Sequence, residues 1–193
     1  MKYFILSDIH GSATALAKVL EKFYALNCDK IICLGDSLYH GPRNPLPEGY
    51  DNKKVCEMLN PLSDKIISCR GNCDAEVCEM VLNFSTMADY VRFEDGGIKI
   101  FCTHGHLYAP EWRMPENYDV FLYGHTHVQR LEKNSEGKII CNPGSIALPK
   151  GGSKAGFAVL ETDNEVVLYD LDGVVLRRVP MMTSCSPSKS ISA

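Results

Sequence analysis

Five short apolar runs, YFIL, IICL, IISC, IKIFC and DVFLY, each stop at polar residues able to bind a metal. The sets that follow them are Ser7-Asp8-Ile9-His10, Gly35-Asp36, Gly71-Asn72-Cys73-Asp74, Thr103-His104-Gly105-His106 and Gly124-His125-Thr126-His127. Short runs of β-branched, aromatic and aliphatic residues read as buried strands. In an open α/β sheet, ligands collect beyond the carboxyl ends of the strands. Five strand ends bearing Asp, Asn and His therefore converge on one place, which has the make-up of a metal centre.

Each set is weak alone. Two residues apart on a strand end, Asp8 and His10 point to the same face. An isolated pair of this kind reads as one Asp–His hydrogen bond. Asp36 and Asn72 alone would be turn residues. His125 and His127 say more, because two same-face imidazoles after a glycine are uncommon without a ligand. The joint pattern decides: five of the six histidines lie in these sets, and the sixth, His40, follows Asp36 by four residues. Solvated surface histidines would scatter.

The elements between the sets define the fold class. Residues 2–7, 30–34 and 65–69 read as strands, and 12–26, 52–62 and 75–83 as helices, with Ser12 as an N-cap. Three prolines exclude regular structure from the 40–50 loop. This alternation predicts a mostly parallel sheet. From residue 89 the chain is strand-rich, with strands over 89–94, 98–103, 119–123, 128–132, 138–141, 156–162, 165–171 and 174–179. Asp95-Gly96-Gly97 and Glu136-Gly137 mark hairpins. The expected architecture is two packed sheets with helices outside. It forms one domain over 1–182, followed by a disordered Ser-rich tail over 183–193.

Composition narrows the function. A formal net charge of −4 over 193 residues gives no footprint for long nucleic acid. Bound cations would still let a small anionic substrate approach. The first apolar run is too short for a signal peptide, and no stretch is long enough to span a membrane. Nine cysteines, an odd number without a CxxC motif, read as free thiols in a reducing cytoplasm.

The motifs D8-x-H10, G35-D36, G71-N72, H104-G105 and G124-H125-T126-H127 resemble, in order and spacing, the signature of the calcineurin-like metallophosphoesterases. Longer stretches, SDIHGS at 7–12, HGPRNPLPEGY at 40–50, RGNCD at 70–74, THGHLY at 103–108 and NPGSIALPKGG at 142–152, resemble the YfcE-type bacterial phosphodiesterase branch. The resemblance implies a four-layer αββα sandwich of two mixed sheets flanked by helices. It implies one divalent ion on Asp8, His10 and His127, a second on Asn72, His104 and His125, and Asp36 bridging both. It further implies direct attack of a metal-bridging hydroxide on a small phosphodiester, with Asp36, Asn72 and Cys73 catalytic. Mn²⁺ is the expected metal, and Fe, Zn²⁺ or Ni²⁺ suit the same donors. A homo-oligomer, dimer or tetramer, is also expected.

Cys73 departs from the wider family, which often has His there to help the leaving group depart. Packing at a strand end is the alternative role for this thiol. Arg43 is a candidate grip on a phosphate oxygen, or else a solvated loop charge. His106 and His40 are candidate substrate contacts or simply hydrogen-bonded histidines. Asn142-Pro143-Gly144-Ser145 reads as a turn that shapes the pocket, and Lys150 as a loop charge. The other readings are a phosphomonoesterase or protein phosphatase of the same fold, and a binding scaffold like the retromer subunit that shares it.

Overall fold

A computed structural model describes residues 1–181. The expected disorder over 183–193 therefore falls outside the described residues. β1 (Lys2–Leu6) pairs in parallel with β2 (Lys30–Cys33), and β2 in parallel with β3 (Ile66–Ser68). The crossover between the first two is α1 (Ala13–Ala25), capped by the Ser12 side chain, which accepts from the Ala15 amide. Leu16, Val19, Leu20 and Phe23 form one apolar stripe of that helix, at helical spacing. β9 (Gly156–Glu161), β10 (Glu165–Asp170) and β11 (Val175–Pro180) extend the sheet antiparallel from the other edge of β1, in the order β11-β10-β9-β1-β2-β3.

The second sheet has the order β4-β5-β6-β8-β7. Its strands are β4 (Tyr90–Asp95), β5 (Ile98–Thr103), β6 (Val120–Leu122), β7 (Arg130–Lys133) and β8 (Ile139–Asn142). β5, β6 and β8 run parallel, while β4 and β7 close hairpins at the edges. Alternation along β1 splits the core. Phe4 and Leu6 pack against α1, α2 (Asn52–Leu59) and α3 (Glu76–Val81). Tyr3 and Ile5 pack against Ile100, Cys102, Val120 and Leu122 of the second sheet. The carboxyl ends of β1, β2 and β3 thus meet those of β5, β6 and β8 at one edge of the sandwich.

Two mixed sheets with flanking helices are what the motifs imply. Two boundaries differ for identifiable reasons. The helix expected over 52–62 stops at Leu59 and tightens into a 3-10 turn over Asn60–Lys65, because Pro61 brings no N–H to the helical ladder. The strand expected over 128–132 begins at Arg130: the Val128 and Gln129 amides donate to Thr126 Oγ1 and Ser153 Oγ instead of a neighbouring strand. The outer face of the second sheet carries an aromatic layer, Phe101, Phe121, Tyr118 and Tyr123, joined by Tyr108 and Met114 of an irregular segment. Pro110 and Pro115 in that segment disfavour a helix there. All three described α-helices lie on the first sheet.

Candidate metal centre

The donors meet through the backbone, not through strand pleating. β1 ends at Leu6, so Asp8 and His10 lie beyond it, in loop. Both take left-handed backbone, with φ of 55° and 48°. Asp36, His125 and His127 do the same, at 55°, 66° and 58°. Only seven described non-glycine residues have positive φ, and these are five of them. Such conformations cost roughly 1–3 kcal/mol each and cluster where a site needs them. The expectation that strand alternation aims Asp8 with His10, and His125 with His127, is therefore corrected: loop twists turn these side chains inward. Sequence reasoning had no signal for that conformation beyond the preference of Asp and His for it.

Three imidazoles are held alike. His10 Nδ1 bonds the Tyr39 carbonyl at 2.8 Å, His104 Nδ1 the Leu34 carbonyl at 2.7 Å, and His127 Nδ1 the Leu148 carbonyl at 2.5 Å. A carbonyl can only accept, so each Nδ1 carries a proton and each Nε2 is turned inward, the nitrogen left for a metal. These Nε2 atoms surround two carboxylates. His127 and His10 stand 3.2 and 3.6 Å from Asp8 Oδ1, and His104 stands 3.4 Å from Asp36 Oδ2. Asn72 Oδ1 is 3.2 Å from His104 Nε2. The His125 amide donates to Asp8 Oδ2 at 3.1 Å, and its ring centroid lies 5.2 Å from that of His104. Donors of Asp8, His10 and His127 lie within 4.8 Å of one another, as do those of Asp8, Asp36 and His104. A third such group joins His10, Asp36 and Cys73.

The fit to cations rests on Asp8 Oδ1. This atom is buried and has no hydrogen-bond partner, which is costly for a carboxylate oxygen. Burial alone would push the Asp8 carboxyl up, but His10, His104 and His127 outweigh it and hold it well below the usual range. For Asp36, too, burial is outweighed by His104, and its carboxyl is lowered. Conversely, burial would lower His104, yet Asp36 and Asp8 push it up to about 9. The imidazolium charge here does part of what a cation would do.

A residue whose role the motifs leave unassigned holds the floor together. The buried Asp74 carboxylate accepts from the Asp36, Ser37 and Gly71 amides at 2.8, 3.0 and 2.8 Å, tying the second strand end to the third. The Asn-Pro-Gly-Ser turn braces the first and fifth: Ser145 Oγ donates to the Asp8 carbonyl, and the Asn142 amide to the Gly124 carbonyl. Gly71 is required by close approach, since a Cβ there would lie 2.0 Å from Asp36 Oδ1.

Above the donors opens a cavity of about 390 Å³, lined by Asp36, Asn72, Cys73, His125 and His127 below and by Arg43, Asn44 and Lys150 at the rim. Burial and the nearby Asp36 push the Cys73 thiol up to about 12. His106 does not line this cavity. It packs against His104 and His125 with centroids 5.4 and 6.2 Å away, and burial together with His104 lowers it to about 4. His40 also lies off the lining, its ring against Tyr39 and Tyr50. A larger cavity of about 530 Å³ lies against Tyr90, Phe101 and Tyr108 on the second sheet, away from every donor named above.

A sandwich whose parallel strands deliver braced imidazoles and carboxylates to one edge defines a metallophosphoesterase class, and the sequence agrees. Residues 1–165 match the family model of the calcineurin-like phosphoesterase superfamily domain, and the chain belongs to that family. Phosphodiesterase YfcE of Escherichia coli is 45% identical over 181 residues, covering 93% of this chain and 97% of the relative. The solved YfcE structure superposes with a TM-score of 0.89 at 40% identity, covering 94% of this chain and 100% of that one. A vacuolar protein sorting 29 structure from Cryptosporidium parvum, 18% identical with a TM-score of 0.65, covers 94% of this chain and 98% of its own; it shares the fold alone.

Proposed function

We propose that this chain is a metal-dependent phosphodiesterase of small substrates, working at a two-ion centre on Asp8, His10, Asp36, Asn72, His104, His125 and His127. The observation that carries it is the buried, partnerless Asp8 Oδ1 among Nε2 atoms whose opposite nitrogens are fixed to carbonyls. Asp36 is the shared ligand: it faces His104 and lies 3.7 Å from His10, so it reaches both halves of the cluster. The donors, carboxylate, amide and imidazole, suit Mn²⁺. Bound divalent ions supply a nucleophile at neutral pH and offset the charge of the phosphoryl oxygens.

The chain's own residues do the rest. Arg43, on the rim, reaches phosphoryl oxygens with a planar fork. Cys73, held by its amide on Asp36 Oδ1 at 2.7 Å, faces the leaving group as a neutral, weakly acidic thiol. That favours diesters with good leaving groups over monoesters. His106, behind His104 and His125, remains neutral and supports them without touching substrate. The eight cysteines among the described residues are all free, which supports a reducing compartment, the cytoplasm. No described helix is long and apolar enough to cross a membrane.

The test is hydrolysis of bis-p-nitrophenyl phosphate with and without Mn²⁺, alongside Asp36→Ala. Mn²⁺-dependent release that disappears in the variant is expected. No metal-dependent release would favour a binding scaffold, and release that survives Asp36→Ala would place the chemistry elsewhere.

A further inference from the structure

Lys150 is tied to the centre by its backbone. Its amide donates to the His127 carbonyl at 3.0 Å, and Leu148, two residues earlier, accepts from the His127 ring. Its side chain then crosses to the opposite loop, where Nζ donates to Asn44 Oδ1 at 3.0 Å. Asn44 in turn donates to the His40 carbonyl at 2.8 Å. The two loops meet through a neutral amide, so the lysine charge stays uncompensated.

The same holds for Arg43. Among the described residues, neither Arg43 nor Lys150 lies within 4.0 Å of a carboxylate, and both line the cavity over the metal donors. The chain as a whole is acidic, at −4, so two free cations on one cavity rim are not part of a basic surface. A simple phosphodiester carries one negative charge. The centre and Arg43 already answer it. Lys150 is then a cation without an anion.

We infer that Lys150 is a specificity-determining residue that binds a second phosphate on the substrate, so the preferred class is phosphodiesters bearing a further phosphate group. This rests on the phosphodiesterase reading above. On binding, the second phosphate replaces Asn44 as the acceptor of the Lys150 ammonium, exchanging a neutral partner for a charged one. Charge-assisted bonds of that kind are about twice as strong as neutral ones.

The experiment compares two chromogenic esters, thymidine 5′-(p-nitrophenyl phosphate) and the same compound with a 3′-phosphate, on the Mn²⁺-loaded protein. The wild type should prefer the 3′-phosphorylated ester by about 10-fold in kcat/KM. That preference should shrink as salt rises, because the ammonium is exposed. Lys150→Met should abolish the preference and Lys150→Arg should retain most of it. The ratio of the two esters is the readout, so a general loosening of His127, which slows both alike, cancels. Equal wild-type rates, or a preference unchanged in Lys150→Met, overturn the inference and leave the phosphodiesterase reading standing. No Mn²⁺-dependent release from these esters or from bis-p-nitrophenyl phosphate overturns that reading and the inference with it.

Discussion

His127 Nε2 lies 3.2 Å from Asp8 Oδ1, yet that buried oxygen accepts no hydrogen bond. The two atoms come from opposite sheets, one after β1 and the other after β6, and both residues have left-handed backbone. Two potential ligand atoms brought this close are the geometry of shared ligation. Asp8→Asn should therefore lower bound metal and reduce bis-p-nitrophenyl phosphate turnover by more than about 100-fold, beyond what loss of a supporting contact costs. Metal analysis after gel filtration is the check. Full metal content in the variant would contradict it.

Loading should depend on pH with a definite sign. In the metal-free protein, His104 is pushed up to about 9 from an ordinary 6.5, by Asp36 and Asp8 against the effect of burial. A raised folded pKa stabilises below 6.5, and that contribution is lost as pH rises towards 9. A cation needs the same Nε2 unprotonated, so it must displace that proton. Asp8 and Asp36, lowered in the fold, stay ionised throughout this window. The gain in Tm on adding Mn²⁺ should therefore grow between pH 6.5 and 8.5. Thermal unfolding with and without Mn²⁺ across that range measures it, and a flat or shrinking gain would count against the account.

The strand ends were legible because each strand is a short apolar run followed by an abrupt polar set, and the hairpins because Asp95-Gly96-Gly97 and Glu136-Gly137 are turn chemistry. Family motifs supplied the grouping of donors. What makes the donors converge was not legible: positive φ at Asp8, His10, Asp36, His125 and His127 is a tertiary demand, imposed by carbonyls and carboxylates distant in sequence. Asp74 was hidden for the same reason. Its three amide partners belong to Asp36, Ser37 and Gly71, and only the fold brings two of them near. The irregular layer over Phe101 and Phe121 was obscured because the resemblance implied helices outside both sheets, while Pro110 and Pro115 spoke locally against one.

Gly124 precedes the His125-Thr126-His127 set and leaves no room for a side chain. A Cβ there would lie 1.9 Å from Ser7 Oγ and 2.9 Å from Asp8 Oδ2. Ser7 Oγ donates to Asp8 Oδ2 at 2.7 Å, so the clash strikes the hydrogen bond that orients the carboxylate. Gly124→Ala should destabilise the fold by about 1–3 kcal/mol, as overpacking does, and lower metal content together with activity. Urea unfolding of the metal-free variant separates the two effects. Unchanged stability with unchanged metal content would mean the loops give way more easily than their hydrogen bonds suggest.

Cys73 sets the leaving-group range. Burial and Asp36 push its thiol up to about 12, so it stays protonated but gives up a proton reluctantly. Esters of acidic alcohols such as p-nitrophenol need little help in departing, whereas alkyl leaving groups need a proton. A steep dependence of rate on leaving-group pKa is therefore expected for the wild type. Cys73→His places an imidazole beside Asp36, and opposite charge favours its protonated, proton-donating form. The dependence should flatten, chiefly through faster turnover of the poorer leaving groups, with little change in metal content. Rates across a series of aryl and alkyl diesters at saturating Mn²⁺ give the slope directly; the same slope in both proteins would leave Cys73 with packing as its role.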